Sequence, residues 1–143
     1  MRTLDMQFIR YMNLFTKVSR VSAKHCFSYN NVLIFVVPRA LVSKAIGRDN
    51  ENLRNLSEIL LKRIRIVAEP EEKTQREIKT FIKTIVSPVQ FKDITFIEQP
   101  QKEITIVADR EGRARLIGRG RIRQKEISEI LEQYFDIKNV KIA

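Results

Sequence analysis

Two stretches of this chain repeat each other and decide its fold. Residues 46–60 read IGRDNENLRNLSEIL, and residues 117–131 read IGRGRIRQKEISEIL. The stretches stand 71 residues apart, and they share Ile-Gly-Arg at one end and Ser-Glu-Ile-Leu at the other. Similarity at several places in one register indicates two copies of one structural unit. We therefore expect one unit at residues 1–70 and a second at residues 71–143.

The sequence around the repeated stretches keeps the same register. The offset places the apolar run at residues 33–36 on residues 104–107, and it places Arg39 on Arg110. The two copies meet at Glu69-Pro70-Glu71-Glu72, where a proline and three acids would end a strand before a new helix begins. The repeat therefore covers the whole chain.

Hydrophobic periodicity predicts the order helix, strand, strand, helix, helix, strand in each copy. Thr3 and Thr74 are the expected N-caps of the two opening helices. The inward side chains of these helices are expected to be Phe8, Ile9, Met12, Phe15 and Val18 in the first copy and Ile78, Phe81, Ile82 and Ile85 in the second. The longer helix of each copy is expected to bury Leu53, Leu56, Ile59 and Leu60, or Ile127, Ile130, Leu131 and Tyr134.

Strands are expected in three places in each copy. The first strand is predicted at residues 21–27 and 91–97, and the second, apolar strand at residues 32–37 should be covered on most of its surface. A turn at Tyr29-Asn30-Asn31 would join these two strands in the first copy. The closing strands are predicted at residues 64–67 and 140–142.

The composition is that of a globular protein with a large positive charge. Of 143 residues, 43% are hydrophobic and 31% are charged, and the formal net charge is +10. This profile excludes disordered, collagen-like and low-complexity proteins. The excess of Lys and Arg favours a polyanionic partner, with an acidic membrane surface or an acidic protein second.

Cysteine content and hydropathy indicate where the protein works. Cys26 is the one cysteine and His25 the one histidine, so neither an internal disulfide nor a structural zinc site is expected. The longest apolar run, residues 32–37, is too short to cross a bilayer, and charges within the first ten residues interrupt any signal peptide. We expect a cytoplasmic protein with no metal, no cofactor and no membrane partner.

A glycine separates two helices in each copy, and this arrangement suits an anion. The first-turn amides of a helix that starts at a tight glycine turn favour a bound phosphate. Around Gly118, seven basic residues lie within sixteen positions, opposed only by Glu111. These basic residues are Arg110, Arg113, Arg115, Arg119, Arg121, Arg123 and Lys125. The pattern favours a phosphate backbone as the ligand over a merely solvated basic face.

These features resemble the type II KH domain, whose hallmark is Ile-Gly-x-x-Gly between two helices in this element order. The whole chain is similar to the archaeal NusA-like transcription factors, which are little more than two tandem KH domains. The likeness includes residues 31–37 (NVLIFVV), 45–48 (AIGR) and 85–89 (IVSPV). It implies an α+β fold of two KH domains, each with a three-stranded mixed sheet covered by helices.

The resemblance also implies a site for single-stranded RNA, because the KH loop clamps the backbone of about four nucleotides while the bases lie over an apolar groove. In the first copy, the residues expected to contact RNA are Lys44, Ile46, Gly47, Arg48, Asp49, Asn50, Leu53 and Arg54. In the second copy they are Arg113, Arg115, Ile117, Gly118, Arg119, Gly120, Arg121, Arg123, Gln124 and Lys125. Tyr29 is a further candidate for stacking on a base.

Four residues depart from the family pattern. Asn50 and Arg121 replace the second glycine of the loop, and Asn tolerates the left-handed backbone better than most residues. Asp49 would repel phosphate unless it turns away or caps the following helix. Gln124 stands where the first copy has Leu53, so it could bond a base edge, or Ile122 could take its place. We expect more electrostatic attraction from the second copy and more groove contact from the first.

The resemblance implies a non-catalytic transcription factor that holds nascent RNA near RNA polymerase and influences termination or antitermination. Neither paired carboxylates nor metal-ligand spacings suggest an enzyme, and no small-molecule substrate is expected. Two alternatives stay open: a module that docks on an acidic protein such as a polymerase subunit with little RNA clamping, and a ribosomal-RNA-binding KH protein of ribosome assembly. A nuclease is a distant fourth possibility.

Overall fold

Two units of one design follow each other along the chain. The structure is a computed structural model and describes residues 6–143; Thr3, the expected cap of the first helix, lies outside the described residues. One unit ends at Pro70 and the other runs from Glu71 to Ala143. Between residues 6 and 143, no helix combines the length and the apolar character that crossing a membrane requires.

Both units have the predicted element order, helix, strand, strand, helix, helix, strand. The first unit contains α1 (Met6–Ser19), β1 (His25–Tyr29), β2 (Val32–Val37), α2 (Val42–Ile46), α3 (Glu51–Leu60) and β3 (Arg63–Ala68). The second contains α4 (Gln75–Val86), β4 (Asp93–Ile97), β5 (Glu103–Val107), α5 (Arg110–Ile117), α6 (Ile122–Phe135) and β6 (Asn139–Ile142). Thr74 caps α4 as predicted, its hydroxyl accepting a hydrogen bond of 3.3 Å from the amide of Glu77.

Each unit has a three-stranded mixed sheet, so the predicted α+β fold is confirmed. The strand orders are β1-β2-β3 and β4-β5-β6, with the first pair antiparallel and the second parallel in both sheets. Leu33 pairs with Ile64 in the first sheet, and Ile104 pairs with Val140 in the second. Because Leu33 and Ile104 are repeat partners, Ile64 and Val140 hold the same place in the two units.

The first strand of each unit begins later than predicted. β1 starts at His25 rather than at residue 21, and β4 starts at Asp93 rather than at residue 91. In the first unit the chain needs a reversal after α1: Arg20 takes a positive φ of 62°, and the Ser19 hydroxyl accepts a hydrogen bond from the amide of Val21. The residues that follow the helix make this turn, and the chain reaches β2 at Lys24, whose amide donates a hydrogen bond of 2.7 Å to the carbonyl of Val36.

The turn after β1 is tighter than predicted. Asn30 and Asn31 both have positive φ, 52° and 62°, which gives the two-residue hairpin turn that matches the twist of the strands. Tyr29 therefore belongs to the strand and is only 5% exposed. The expectation that Tyr29 stacks on a base from a turn is wrong, because its side chain is part of the core.

The apolar helix faces pack where the periodicity predicts, with one exception. In the first unit Phe15 of α1 stacks on Phe35 of β2, with ring centroids 4.4 Å apart. In the second unit the predicted α4 and α6 residues are all buried. Ile59 was expected to be inward but is 57% exposed. Successive residues of a helix are rotated by about 100° around its axis. Leu53 and Leu60 therefore lie on one side of buried Leu56, and Ile59 lies on the opposite side of Leu56, toward solvent.

Candidate nucleic-acid interface

In each unit a glycine ends the shorter helix, α2 or α5, ahead of the longer one, α3 or α6, at a place where no other residue fits well. Gly47 has φ 84° and ψ 168°, and Gly118 has φ 73° and ψ 171°, a backbone region essentially reserved for glycine. A Cβ on Gly47 would lie 2.9 Å from the Asn52 side chain, and one on Gly118 would lie 2.7 Å from Cγ of Arg123. The backbone nitrogens of Asn52 and Arg123 would each lie 3.0 Å from such a Cβ, so the predicted close approach of backbone to backbone at these glycines is confirmed.

The residues after each glycine form the same loop in both units. Asp49 and Asn50 have φ of 54° and 60°, and their counterparts Gly120 and Arg121 have φ of 64° and 63°. The amide of the fourth loop residue donates to the carbonyl of the first in both loops, at 3.2 Å for Asn50 and 3.1 Å for Arg121. The expectation that Asn50 keeps the loop shape is confirmed. Arg121 holds the same shape at a cost of about 1 kcal/mol, because its Cβ crowds the backbone.

The long helices α3 and α6 begin without a side-chain cap. Asn50 and Arg121 are the N-cap residues, and the side chain of neither makes a capping hydrogen bond. The expectation that Asp49 caps α3 is wrong, because Asp49 precedes the N-cap position and is exposed. The amides of Glu51 and Ile122 donate to the carbonyls of Arg48 and Arg119, so the backbone joins the first turn of each long helix to its loop. The positive end of each helix dipole lies at the loop, where it favours an anion.

The charges around the two loops differ. The first loop has exposed Arg48 but also exposed Asp49, and Glu51 occupies the first turn of α3. The second loop has exposed Arg119 and Arg121, and α6 has no acid in its first turn. The second loop therefore has the greater local excess of positive charge.

The basic run around the second loop separates into exposed and paired members. Arg113 and Lys125 are exposed on α5 and α6. Arg115 is bonded to Glu111 within α5 at 3.0 Å. Half-buried Arg123 forms an ion pair with Glu126 and packs against Gly118. Arg123 thus packs against the first residue of the loop, while Arg113 and Lys125 leave their charges in solvent.

The remaining predicted residues lie on either side of the loops. Lys44 and Arg54 are exposed on α2 and α3, and Ile46 and Ile117 are half-buried at the ends of α2 and α5. The carbonyl of Lys44 accepts a hydrogen bond of 3.3 Å from Asn52 Nδ2, which joins α2 to α3 across the loop. This bond holds the first loop closed between its two helices.

A groove of about 400 Å³ lies between α3 and β3 in the first unit. Its apolar lining includes Val32, Leu53 and Ile64, and Arg54, Arg63 and Arg65 also line it. Residues 64–67 were predicted to form a strand, but the strand was not expected to be part of the site. The alternation Arg63-Ile64-Arg65-Ile66 was the available signal, since it indicates an edge strand with one polar side.

The second unit differs at the equivalent place. Gln124, the counterpart of Leu53, donates a hydrogen bond of 2.9 Å from Nε2 to the carbonyl oxygen of Val140. Val140 is the sheet counterpart of Ile64. The amide of Gln124 thus joins α6 to β6 directly, while neighbouring Ile122 is 48% exposed.

The remaining side chains that could carry chemistry form no metal site in residues 6–143. Over that range, no group of three or more His, Cys, Asp or Glu side chains could hold a metal ion. Cys26 is buried in β1 and His25 is exposed at the start of that strand. The two loops and the groove are therefore the features on which a functional assignment can rest.

The three relatives described below carry the same protein name. No protein-family model matches the chain. It is 25% identical over 141 residues to a probable transcription termination protein NusA of Halococcus morrhuae, covering 99% of this chain and 98% of that protein. Proteins of the same name match at 24% identity in Methanococcus vannielii, where 79% of the relative is covered, and at 21% in Thermoplasma acidophilum, where 94% is covered.

A solved structure supports the fold independently. The crystal structure of APE1850 superposes with a TM-score of 0.69 at 25% identity, covering 98% of this chain and all of that one. The resemblance to the archaeal NusA-like proteins thus extends over nearly the whole chain. The relatives are named as transcription termination proteins and not as enzymes.

Proposed function

We propose that this chain, an archaeal NusA-like protein by its likeness, is a single-stranded RNA-binding transcription factor that acts in termination or antitermination. Its partners on this proposal are the nascent transcript and RNA polymerase, and it works in the cytoplasm. Contact with RNA is made through the two loops that follow Gly47 and Gly118. It is a binding protein with neither a catalytic residue nor a cofactor.

The observation that carries the proposal is the shared geometry of the two loops. Each has a glycine that lets backbone approach closely, two left-handed residues, and a helix whose N-cap residue makes no side-chain capping bond. Such a helix start favours a phosphate group. With a net charge of +10, the chain as a whole attracts a polyanion. Transcription enters the proposal through the names of the relatives, and RNA binding through the loops.

A second candidate function is docking on an acidic protein, such as a polymerase subunit, with little RNA clamping. Two exposed apolar residues at the end of α3 favour it: Ile59 is 57% exposed and Leu61 is 88% exposed. Exposed apolar side chains close together are characteristic of a protein contact. The carboxylate of Asp49 in the first loop also favours the docking function, because its negative charge opposes phosphate binding there.

Fluorescence anisotropy with a short unstructured RNA tests the proposal. The RNA is titrated at low and physiological salt beside the same sequence as DNA and as duplex, and beside a structured ribosomal RNA fragment. We expect the single-stranded RNA to bind best and to keep that preference at physiological salt. Equal binding to all, abolished by salt, would favour the docking function. A preference for the ribosomal fragment would favour the ribosome-assembly alternative.

A further inference from the structure

We infer that the end of α3 in the first unit is a docking site for a protein partner, which fills it with a helical turn that carries two aromatic side chains flanked by acids. The inference rests on the proposed function, because it takes a protein of the transcription machinery as the source of that turn. Unlike the second candidate function, it has the protein partner and the RNA bound to the chain together.

Two apolar side chains at the end of α3 contribute little to the core of their own unit. Ile59 is 57% exposed and Leu61 is 88% exposed. Leu61 is the C-cap of α3 and has φ 53° and ψ 40°, a left-handed conformation that favours glycine or asparagine. The leucine therefore adds backbone strain and also leaves its apolar surface in water. A partner that covers both side chains removes this surface from water.

The repeat partner of Ile59 in the second unit is buried. Ile130 is 3% exposed and lines a small apolar cavity with Ile82 and Ile85 of α4. α6 has 14 residues and α3 has 10, so α6 continues for one extra turn, residues 132–135, beyond the end of the repeated stretch. Tyr134 lies on this extra turn, four residues after Ile130 and therefore next to it on the helix surface.

The extra turn of α6 brings two aromatic rings to the opening helix of its unit. The ring centroids of Tyr134 and Phe135 lie 5.1 Å and 5.5 Å from that of Phe81 in α4. Both side chains are buried. The second unit thus shows, within the same chain, which side chains complete this position: a tyrosine and a phenylalanine on one turn of helix.

The first unit has an aromatic residue at the place of Phe81. Phe81 stands four positions before buried Ile85 in α4. Tyr11 stands four positions before buried Phe15 in α1, so it corresponds to Phe81. α1 contacts α3, and Tyr11 is half-buried. A partner's ring can therefore meet a ring of the first unit, as Tyr134 meets Phe81 in the second.

A lysine at the same place in both units gives the site its charge. Lys62 precedes β3 and Lys138 precedes β6, and the equal pairing of these strands makes the two lysines equivalent. Lys138 Nζ lies 2.8 Å from Asp136 Oδ1 and 3.6 Å from Glu132 Oε1. In the first unit α3 ends at Leu60, before the positions of these acids, and Lys62 is exposed. A carboxylate on the partner's turn completes the ion pair.

The docking site and the first RNA loop lie at opposite ends of α3. The helix has 10 residues and is therefore about 15 Å long. The loop that follows Gly47 precedes its first residue, and Leu61 follows its last. A protein at one end and RNA at the other thus contact different side chains.

Peptides that copy the extra turn test the inference on the whole chain. The isotope-labelled protein is titrated to millimolar concentration with a capped peptide Glu-Gln-Tyr-Phe-Asp, the sequence of residues 132–136, and amide NMR shifts are followed. We expect saturating shifts at residues 59–62. A peptide with alanine in place of both aromatics should shift these amides little, and one with lysine in place of both acids should bind more weakly.

Leu61→Asn removes the apolar side chain from the site without adding strain. Asparagine tolerates the left-handed backbone, so the variant should be at least as stable as the unchanged chain. We expect it to weaken peptide binding about fivefold or more, because the contact of one leucine is lost. Binding of a short unstructured RNA should not change. Leu61→Met, which keeps an apolar side chain, is the matched control and should bind the peptide like the unchanged chain.

Each other outcome has one meaning. Unshifted amides at residues 59–62, or equal shifts from the alanine peptide, would overturn the docking site and leave RNA binding untouched. Failure of the unchanged chain to bind RNA would overturn the proposed function, while peptide binding would still support the site. Shifts at residues 59–62 that grow with protein concentration alone would overturn the inference by making a second copy of the chain the occupant.

Discussion

Asn50 and Arg121 have nearly the same backbone conformation, φ 60° and ψ 26° against φ 63° and ψ 22°, although they share no chemistry. Both residues lie at the start of a long helix and have left-handed backbone angles, which glycine adopts without steric strain. Asparagine tolerates this region, and arginine does so at a cost. Arg121 therefore brings an exposed guanidinium to the loop at a cost in backbone strain.

Replacing Arg121 should separate loop shape from loop charge. We expect Arg121→Gly to raise the free energy of unfolding by about 1 kcal/mol, because the left-handed strain is removed. The same change should weaken RNA binding, because a guanidinium next to the phosphate site is lost. Urea denaturation and RNA titration on the same preparation check both effects. An RNA affinity that rises with stability would show that Arg121 does not contact RNA.

The glycine at the start of each loop should not accept any side chain. We expect Gly118→Ala to lower the free energy of unfolding by about 1–3 kcal/mol, since the backbone conformation is strained for alanine and the Cβ would meet Arg123. The control is Gly120→Ala, whose Cβ would meet nothing within 4 Å although φ is +64°. Thermal denaturation should therefore give a clearly lower midpoint temperature for Gly118→Ala than for Gly120→Ala. The reverse ranking would contradict the loop geometry.

Asp49 in the first loop should weaken RNA binding. Asp49→Gly copies the second loop, so we expect tighter RNA binding at low salt by about threefold to tenfold, as one repulsive charge is lost. Gly120→Asp copies the first loop and should weaken binding by a similar factor. Anisotropy titrations of both variants measure the exchange. Unchanged affinity in both would show that neither loop lies near phosphate.

An ion pair in the second unit gives a prediction about pH. Lys79 Nζ lies 2.9 Å from Asp93 Oδ1, and the hydrogen bond from Lys79 lowers the pKa of Asp93 below its usual value, with help from the Ile94 amide. Because the folded pKa is the lower one, this contribution to stability is present above the unfolded pKa and is lost as pH falls through the folded one. The group is exposed, so the effect on stability is small.

Carbon-13 NMR of the carboxyl groups measures this pKa directly. We expect Lys79→Ala to raise the pKa of Asp93 toward its usual value. Asp136, whose pKa is lowered by its hydrogen bond with Lys138, is the internal control and should titrate as before. An Asp93 titration that the substitution leaves unmoved would contradict the contact.

The fold was predictable because the same pattern of apolar and glycine residues occurs in both copies. The register that aligns Gly47 with Gly118 also aligns the helices, so each ambiguous segment could be judged against its copy. The limits of β1 were not predictable, because the apolar side chain of Val21 continues the strand pattern while its backbone still belongs to the turn after α1. A side-chain hydrogen bond reverses the chain there, and periodicity does not register it.

The candidate site was predictable at its loops and not in its groove. The Ile-Gly-Arg pattern located both loops because a positive φ demands glycine at a fixed place. Arg63 was missed because its role depends on β3 lying beside α3, a tertiary contact. Gln124 was ambiguous because an amide can bond a base or the protein, and only the position of Val140 decides which carbonyl it meets.

The claim that the loops bind RNA is tested most directly by charge reversal at equivalent positions. Arg119→Glu and Arg48→Glu change the same residue of the two loops by the same charge. Arg76→Glu is the matched control, since α4 packs Phe81 against Tyr134 and Phe135 and so places its first turn by the far end of α6. All three are titrated with unstructured RNA over a range of salt concentrations.

We predict that Arg119→Glu weakens RNA binding about tenfold or more and reduces the salt dependence, that Arg48→Glu weakens it less, and that Arg76→Glu changes it little. Equal losses for all three variants would contradict the account, because they would show a general basic surface in place of two loops.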